Sequence, residues 1–459
     1  MPIVAGVDSS TQSVKVVLRD ADSGELVAST SRPHPDGSEV NPQHWWKALS
    51  EALDELSSHK ISAISIAGQQ HGMIALDKDG AVIRDALLWN DTRSDKAAED
   101  LNREIPDIAL RTGSQLVASF TASKVRWLAD SEKANANRVA AIALPHDWLS
   151  WKLSGAKSIE TLFTDRSDAS GTGYFDSRKN EYCLDILATA IRTNQEIILP
   201  KIIAPNQFGA TSTNSIPIAA GAGDNAGAAL GLGASLGDLV ISLGTSGTAF
   251  AISKSSTHDS SGEVAGFADA TGNFLPLACT LNAAKIFNTV AKSLSLSFEE
   301  FSSLALSAKV GAEGLRIIPH FDGERTPNKP SAKGSFYGIT HSNFTRENIA
   351  RASIEGVIAG MIYAARAVER QGVSYSRILL IGGAAKNSAV QQIAADLFGR
   401  TIHIPPIGEY VADGAAKQAA WALSGNEGLP KWSLGEVFEI HPSKDAEEVR
   451  ASYLGLIRD

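Results

Sequence analysis

The stretch IVAGVDSSTQSVKVVL, residues 3–18, decides the fold that we predict for this chain. An apolar run from Ile3 to Val7 leads into a polar turn, Asp8 to Ser13, and a second apolar run follows from Val14 to Leu18. Two short apolar runs around a small polar turn are typical of a β-hairpin. The pattern recurs as LVISLGTSGTAFAI in residues 239–252, with Gly244 to Gly247 as the turn.

Helices alternate with strands around both hairpins. Apolar residues from Trp45 to Leu56 have helical spacing, and Ile61 to Ala67 then has the composition of a buried strand. In the second half, an apolar helical stretch from Ile349 to Val368 precedes a strand, Ile378 to Ile381. This alternation predicts an α/β protein.

The chain has 459 residues, about three times a common domain of roughly 100–150 residues. The repeated hairpin places the division near residue 236, so we predict two domains, residues 1–236 and 237–459. Hydrophobic residues make up 43% and charged residues 20%, which is the balance of a packed globular protein.

The charge pattern excludes some partners. Lys and Arg number 42 against 51 Asp and Glu, which gives a net charge of −9, and basic residues form no run. We therefore expect no nucleic acid and no membrane as the main partner. The two cysteines, Cys183 and Cys279, are too few for a disulfide framework, and no apolar run reaches the ~18 residues of a membrane span. These features predict a cytoplasmic protein.

Three turns rich in small residues are candidates for phosphate binding. The sequence lacks a P-loop and a strand-linked dinucleotide motif. It has instead the small-residue turns Asp8 to Ser13 and Gly244 to Thr248, with a third turn at Gly382 and Gly383. Such turns let backbone N–H groups approach phosphate oxygens. Each one taken singly fits an ordinary hairpin turn better, and it is the presence of all three that favours phosphate binding.

Asp224 is the candidate catalytic carboxylate. It lies in GAGDNAG, residues 221–227, where an apolar strand, Ile216 to Ala219, leads into an Ala- and Gly-rich helix. A carboxylate at a strand end can accept the proton of a substrate hydroxyl. The alternative interpretation is that Asp224 caps the helix.

A polar cluster follows the strand that ends at Ala67. GQQHGM, residues 68–73, supplies Gln70 and His71, and LLWNDTR, residues 87–93, supplies Trp89. Hydroxyl-matching groups beside a flat aromatic ring are what a polyol site needs. Alternatively, His71 is a structural histidine and Trp89 a core aromatic.

Two other site types are disfavoured. GASLG, residues 233–237, matches the nucleophile motif of hydrolases at Ser235, but a helical segment precedes it where that motif requires a strand. The sequence has no H-E-x-x-H motif and no EF-hand loop, so it predicts no dedicated metal cage.

Taken together, the motifs resemble those of the FGGY family of carbohydrate kinases over nearly the whole chain. They occur in the family's order: GVDSSTQSVK (6–15), GQQHGM (68–73), LLWNDTR (87–93), TDRSDASGT (164–172), GAGDNAG (221–227), SLGTSGT (242–248), GERTP (323–327) and IGGAAKN (381–387). The resemblance implies two actin-like, ribonuclease-H-like ATPase domains that flank a central cleft. The N-terminal domain would hold the sugar and the first phosphate hairpin, and the C-terminal domain would bind ATP.

The resemblance also implies roles for individual residues. Asp224 would be the general base, and Asp8 would act near the phosphates as a catalytic residue and ligand of Mg²⁺. The implied sugar-binding residues are Gln70, His71, Trp89 and Asn225. The implied ATP-binding residues are Thr11, Lys15, Gly244, Thr245, Gly383, Ala384 and Asn387.

The implied activity is the transfer of phosphate from ATP to a sugar hydroxyl, with D-xylulose as the first expectation and D-xylulose 5-phosphate as the product. The alternatives are a kinase of another ketose or polyol, such as ribulose, gluconate or glycerol, and an actin-like ATPase without a sugar substrate. GQQHGM and LLWNDTR favour a sugar kinase, because an ATPase has no use for a polyol pocket. A homodimer is expected because two-fold dimers are the commonest oligomers.

Overall fold

The computed structural model describes residues 1–193 and 195–458, and strands alternate with helices along most of the chain. The strands are β1 (Ile3–Ser9), β2 (Ser13–Asp20), β3 (Leu26–Pro33), β4 (Glu39–Val40), β5 (Ile61–Gly68), β6 (Ile74–Leu76), β7 (Ala86–Leu87), β8 (Ala141–Ala143), β9 (Phe163–Thr164), β10 (Phe175–Asp176), β11 (Glu181–Tyr182), β12 (Lys201–Ile202), β13 (Phe208–Thr211), β14 (Pro217–Ala219), β15 (Ala222–Gly223), β16 (Asp238–Leu243), β17 (Gly247–Ala251), β18 (Ala265–Ala268), β19 (Phe274–Thr280), β20 (Arg316–Ile318), β21 (Ser335–Tyr337), β22 (Arg377–Ile381), β23 (Ile402–Ile404) and β24 (Phe438–Ile440).

The α-helices are α1 (Pro42–Glu55), α2 (Asp95–Glu104), α3 (Ile108–Thr112), α4 (Thr121–Ser131), α5 (Lys133–Ala136), α6 (Pro145–Ser154), α7 (Arg166–Ala169), α8 (Leu184–Ile191), α9 (Asp224–Gly231), α10 (Ala284–Ser293), α11 (Phe298–Ser307), α12 (Arg346–Arg370), α13 (Ser388–Phe398), α14 (Tyr410–Ser424) and α15 (Glu447–Arg458). Short 3₁₀ helices cover Ile159–Thr161, Ser170–Thr172, Ala312–Gly314 and Gly383–Lys386. The predicted α/β class is confirmed.

The chain folds into two compact units. The first consists of Met1–Ala234, Gly266–Leu275 and Ile407–Ser433, and the second consists of Ser235–Ala265, Pro276–Pro406 and the described residues from Leu434 onward. The first break along the chain therefore lies close to residue 236, but the units differ from a division into residues 1–236 and 237–459. Two segments from the second half of the sequence belong to the first unit because they pack there.

One of those segments contains helix α14, which packs on α9, β1 and β5. Its small residues let the backbones approach closely: a Cβ on Gly414 would overlap the carbonyl of Gly227 in α9, and one on Gly6 would overlap that of Ala412. Glycine is the residue that permits such contact. Several glycines around Asp224 therefore serve helix packing rather than the candidate site.

The main sheet of the first unit has the strand order β13-β14-β5-β1-β2-β3, with β15 beside β5. Strand β1 is antiparallel to β2 and parallel to β5, so the predicted hairpin is present. Asp8 lies within β1 rather than in the turn, because its backbone pairs with Lys15 on one side and Ala67 on the other.

In the second unit, strands β19, β17, β16, β22, β23 and β24 lie side by side in that order. Strand β16 is antiparallel to β17 and parallel to β22, so the second predicted hairpin is also present. The long helix α12 is buried along most of its length and packs on β17, α10, α11 and α13.

Among the residues described, no helix combines the length and the apolar character that crossing a membrane requires.

Candidate active site

Three neighbouring strands of the first unit end at the same edge of its sheet. Ser9 of β1 pairs with Gly68 of β5, and Gly68 pairs in turn with Gly223 of β15. Both pairings are parallel, so the residues that follow these strands come together. Asp8, the Gln70–His71 pair and Asp224 therefore meet, although they are far apart in sequence.

Asp224 is the first residue of helix α9, and Gly223 occupies the cap position. The alternative interpretation of Asp224 as the helix cap is therefore wrong. Its Oδ1 accepts hydrogen bonds from the backbone N and the side-chain Nδ2 of Asn225, at 2.7 and 2.8 Å. Burial raises the pKa of Asp224 to about 6 despite the Asn225 N–H bond, and the negative charge of Asp8 contributes to the rise.

Asp8 is buried, and burial raises its pKa to about 6 as well, although the Ser10 hydroxyl donates to it. Lys15 stands opposite Asp8 on β2, and its Nζ lies 2.5 Å from Oε2 of Glu409. Asp8 thus interacts with one positive charge, Lys15, and with two negative charges, Glu409 and Asp224. This excess of carboxylate fits a divalent cation with oxygen ligands.

Gln70 and His71 are buried and bind the backbone of the segment 165–172. Gln70 Nε2 donates to the carbonyl of Ser167 at 3.0 Å, and His71 Nδ1 lies 2.6 Å from the carbonyl oxygen of Gly171. A carbonyl oxygen only accepts, so Nδ1 carries a hydrogen in this contact. Amide and imidazole groups that are fixed in this way can match sugar hydroxyls.

The backbone of His71 is left-handed, with φ at 70°. Its carbonyl oxygen accepts from Thr121 Oγ1 at 3.1 Å and from Nζ of the buried Lys124 at 3.3 Å. Its ring packs against Phe120 and Phe267, with centroids 4.8 and 5.6 Å away. These supporting residues lack any local signal in the sequence, because they come from other segments of the first unit.

Trp89 and Thr11 continue the sugar side of the site. Trp89 Nε1 donates to Thr11 Oγ1 at 2.9 Å, and that hydroxyl donates to Oε1 of Gln69 at 3.2 Å. Thr11, which the family resemblance assigns to ATP, thus contacts candidates for sugar binding. Within residues 1–193 and 195–458, the buried Gln69 Nε2 and Ser9 Oγ have no hydrogen-bond partner, as expected of groups that face a ligand.

Arg93 is fully engaged by carboxylates. Its Nε and Nη2 bind the two oxygens of Asp91 at 2.8 and 3.0 Å, and Nη2 lies 2.7 Å from Glu39. The exposed Asn90 follows Trp89, and its side-chain amide donates to the carbonyl oxygen of Gly37 at 3.4 Å. The guanidinium of Arg93 is therefore already paired with Asp91 and Glu39.

A buried cluster, His146, Asp147 and Asp168, lies behind these residues, and its ligand atoms are close enough to hold a metal ion. However, His146 Nδ1 lies 2.5 Å from Asp168 Oδ2, which is a hydrogen-bond distance and too short for two ligands of one ion. Of these three residues only Asp168 lies in a motif identified from the sequence, TDRSDASGT, and no role was predicted for it.

The ATP-binding candidates of the second unit lie on its hairpin and on the turn after β22. Gly244 and Thr245 form the turn between β16 and β17. A Cβ on Gly382, whose φ is 93°, would overlap the backbone of Leu243, so Gly382 is the tight position of its turn. A Cβ on Gly383 would meet open space, so the close packing in this turn lies at Gly382.

Ala384 and Asn387 follow Gly383. Ala384 is buried in the 3₁₀ helix, and Asn387 caps α13, with its Oδ1 accepting from Ala389 N and Val390 N at 2.9 and 3.2 Å. The Asn387 amide also donates to the Ser302 hydroxyl. Asn387 therefore has a structural role in this turn, whether or not it also contacts a nucleotide.

Comparison with known proteins places these motifs in one family. The N-terminal domain of the FGGY family of carbohydrate kinases matches residues 3–231, and its C-terminal domain matches residues 239–423. A xylulose kinase of Streptomyces coelicolor is 41% identical over 444 residues, which cover 93% of this chain and 89% of that protein.

Solved structures agree in fold. A xylulose kinase from Bifidobacterium adolescentis has a TM-score of 0.92 at 41% identity and covers 100% of this chain and 99% of its own. A gluconate kinase from Lactobacillus acidophilus has a TM-score of 0.89 at 25% identity, covering 100% of this chain and 96% of its own. The fold is the actin-like ATPase fold of two-domain sugar kinases. The chain therefore belongs to the FGGY family of carbohydrate kinases, enzymes that phosphorylate sugars with ATP.

Proposed function

We propose that this kinase phosphorylates D-xylulose at its terminal hydroxyl, giving D-xylulose 5-phosphate, and that Asp224 is the general base. The observation that carries the proposal is a partly buried carboxylate of pKa about 6 at the strand edge that also holds Gln70 and His71. The substrate assignment rests on relatives named xylulose kinase.

Asp224 suits proton acceptance in two respects. A carboxyl with a pKa of about 6 is still mostly ionised at neutral pH, yet it is a stronger base than an exposed aspartate, whose pKa is ~3.9. Both donors of Asn225 bind Oδ1, which leaves Oδ2 to take the hydroxyl proton. Asn225 thus orients the base. Because the base must reach the sugar hydroxyl, Asn225 would also lie close to the sugar.

When bound, ATP supplies the phosphoryl group, and a Mg²⁺ ion neutralises the charge on the phosphate oxygens. Asp8 is the proposed ligand of the ion, since its carboxylate lies in a region with surplus negative charge. The unpartnered donors Ser9 Oγ and Gln69 Nε2 are available to bind ligand oxygens. Lys15, Gly244, Thr245, Gly383, Ala384 and Asn387 remain the proposed residues for ATP.

The charge distribution favours a neutral sugar over an aldonate. A substrate carboxylate is normally bound by a bidentate arginine. Arg93 is the arginine of the LLWNDTR motif, and Asp91 and Glu39 already occupy its guanidinium. The carboxylate of gluconate would therefore find no unpaired arginine in this motif, while the hydroxyls of D-xylulose match Gln70 and His71.

An ADP-release assay with D-xylulose, D-ribulose, glycerol and gluconate tests the proposal, with the no-sugar rate as the baseline. We expect D-xylulose to give the highest kcat/KM and ³¹P NMR to identify the 5-phosphate. Stimulation by gluconate or glycerol in place of D-xylulose would contradict the substrate and leave the kinase class intact. ADP release that no sugar stimulates would indicate the ATPase alternative.

A further inference from the structure

The segment Asp165–Thr172 connects the two sides of the candidate site. Its carbonyls at Ser167 and Gly171 hold the side chains of Gln70 and His71. The Ser167 hydroxyl accepts from the backbone N of Gly223, the residue before Asp224, at 3.1 Å. Whatever fixes this segment therefore fixes the sugar-binding residues relative to the base.

His146, on the first turn of α6, is fully buried and bonds both to that segment and to the base turn. Its Nδ1 lies 2.5 Å from Oδ2 of Asp168, and its Nε2 lies 3.3 Å from the carbonyl oxygen of Ala220. Because a carbonyl oxygen only accepts, Nε2 carries a hydrogen. With Nδ1 bonded to a carboxylate, the contacts match an imidazolium that donates in both directions.

Close packing supports the same role. A Cβ on Gly68 would lie 3.1 Å from Cβ of His146, and one on Gly221 would overlap the His146 ring. Gly68 is the last residue of β5 and the first of GQQHGM, and Gly221, with φ at 88°, begins the turn to Asp224. The ring therefore fits against both chain segments that carry the site residues.

Carboxylates on two elements face His146: Asp147 from its own helix, and Asp165 and Asp168 from the segment 165–172. Burial alone disfavours the charged ring, but these three groups raise the pKa of His146 to about 10. Asp147 also accepts from the Leu144 N–H at 2.7 Å, and Asp165 accepts from the N–H groups of Ser167 and Asp168. Asp168 is thus the carboxylate hydrogen-bonded to the ring, while Asp147 and Asp165 act on it through their charge.

We propose that His146 and Asp168 form a positioning pair, in which the doubly protonated ring ties the Ala220–Asp224 turn to the segment that holds Gln70 and His71. The proposal rests on the function proposed above, with Asp224 as the base. Reactions between bound groups depend steeply on their alignment, and a displacement of ~1 Å can lower the rate by ~10²-fold. Losing the pair should lower kcat and leave ATP binding unchanged.

The test compares His146→Gln and Asp168→Asn with a matched control, Glu355→Gln. Glu355 is a fully buried carboxylate of the second unit, paired with Arg351 at 2.7 Å, and lies outside the candidate site. We expect each site variant to lower kcat by about 10- to 100-fold per folded molecule, with the KM for ATP within about twofold of wild type. The control should lower Tm without changing kcat.

If the His146 and Asp168 variants lower Tm like Glu355→Gln while kcat and both KM values stay at wild-type levels, the pair is merely structural and the proposal is overturned. If they fail to fold, Ser167→Ala replaces them, since it removes only the hydroxyl that accepts from Gly223 N. Ser167→Ala should then lower kcat by about tenfold, and an unchanged kcat would overturn the proposal.

A second measurement separates this proposal from the proposed function. ¹⁵N NMR of histidine-labelled wild type at pH 8 should show one ring protonated on both nitrogens, and His146→Gln should remove that signal. A singly protonated His146 would overturn the proposal even in an active kinase. A wild type that phosphorylates no sugar would instead contradict the proposed function, while the NMR result would still report on the pair.

Discussion

The two hairpins, β1–β2 and β16–β17, have the same topology and different chemistry. In each, the first strand is antiparallel to its partner and parallel to a later strand, β5 or β22. The first hairpin ends its leading strand with the buried carboxylate of Asp8, whose pKa is about 6. The second ends its leading strand with Leu243 and continues through the small residues of the Gly244–Gly247 turn.

The residues after the later strands differ in the same way. Strand β5 leads to Gln70 and His71, which are polar, buried and hydrogen-bonded. Strand β22 leads to Gly382 and Gly383, which have no side chains. Gly382 lies against the backbone of Leu243, and Gly383 faces open space. One topology therefore carries charged and hydrogen-bonding side chains in the first unit and small residues in the second.

The largest effect should come from Asp224→Asn, which removes the proposed base from the first unit, where the charged side chains lie. We expect kcat to fall by about 10²- to 10⁴-fold, the usual contribution of a general base, while folding and the KM for ATP remain near wild type. Steady-state kinetics and thermal unfolding check both, with Asp176→Asn, a buried carboxylate paired with Arg178, as the control. Early melting with unchanged turnover would mean that Asp224 is structural.

Removing the His71 ring should have the next largest effect. Loss of a buried hydrogen-bonding group typically costs about 1–3 kcal/mol, so kcat/KM for the sugar should fall by about 5- to 150-fold while the KM for ATP is unchanged. Since φ of His71 is 70°, His71→Asn is the better variant, because Asn tolerates the left-handed region. His71→Ala adds backbone strain. If kcat/KM falls in His71→Ala and not in His71→Asn, the effect comes from the backbone and not from the lost ring.

The pH dependence should separate activity from stability. With the pKa of Asp224 about 6, kcat/KM should fall about tenfold per pH unit below that value, as the base is protonated. The folded-state pKa values of Asp8 and Asp224 lie above the ~3.9 of an unfolded aspartate, so their contribution to stability increases as pH falls from 6 to 4.

Rate measurements and thermal unfolding from pH 5 to 8 check this prediction. Asp224→Asn should remove part of the pH dependence of Tm, because its side chain no longer titrates. A wild-type rate that stays constant down to pH 5 would contradict an essential carboxylate with this pKa.

The smallest effect is expected on the backbone side of the comparison. A Cβ at Gly383 meets open space, so Gly383→Val should fold normally and clash only with a bound nucleotide, raising the KM for ATP several-fold and leaving the sugar KM unchanged. Gly382→Ala is the contrasting variant, since its Cβ would overlap Leu243 and it should lower Tm. An unchanged ATP affinity in stable Gly383→Val would remove this turn from the nucleotide site.

Much of the fold could be predicted because it depends on local patterns. Both hairpins, the strand that begins at Ile61 and the helical stretch from Ile349 to Val368 match the structure to within a few residues. Periodicity marks such elements, since one face of each must be apolar. The position of Asp8 inside β1 was not predictable from the turn-like composition, because backbone pairing with two other strands decides it.

The site could be predicted less fully. Asp224, Gln70 and His71 stand out in sequence because polar residues follow apolar strands, but Lys124, Ser167 and His146 have no such signal. Their functions depend on which carbonyl or carboxylate they reach, and those partners lie many residues away. Likewise, the sequence indicated one glycine turn at Gly382 and Gly383, and the backbone geometry shows that the close packing lies at Gly382.

The sequence by itself determined the α/β class, the two hairpins and the family, because periodicity and motif order are properties of the chain. The tertiary structure alone decided which segments pack into each unit, that Arg93 is neutralised by Asp91 and Glu39, and that Asp224 has a pKa of about 6. The physical reason is that burial and charge act through space. The pKa of an aspartate depends on how far it is buried from water and on the charges close to it in space. The residues next to it in the sequence determine neither.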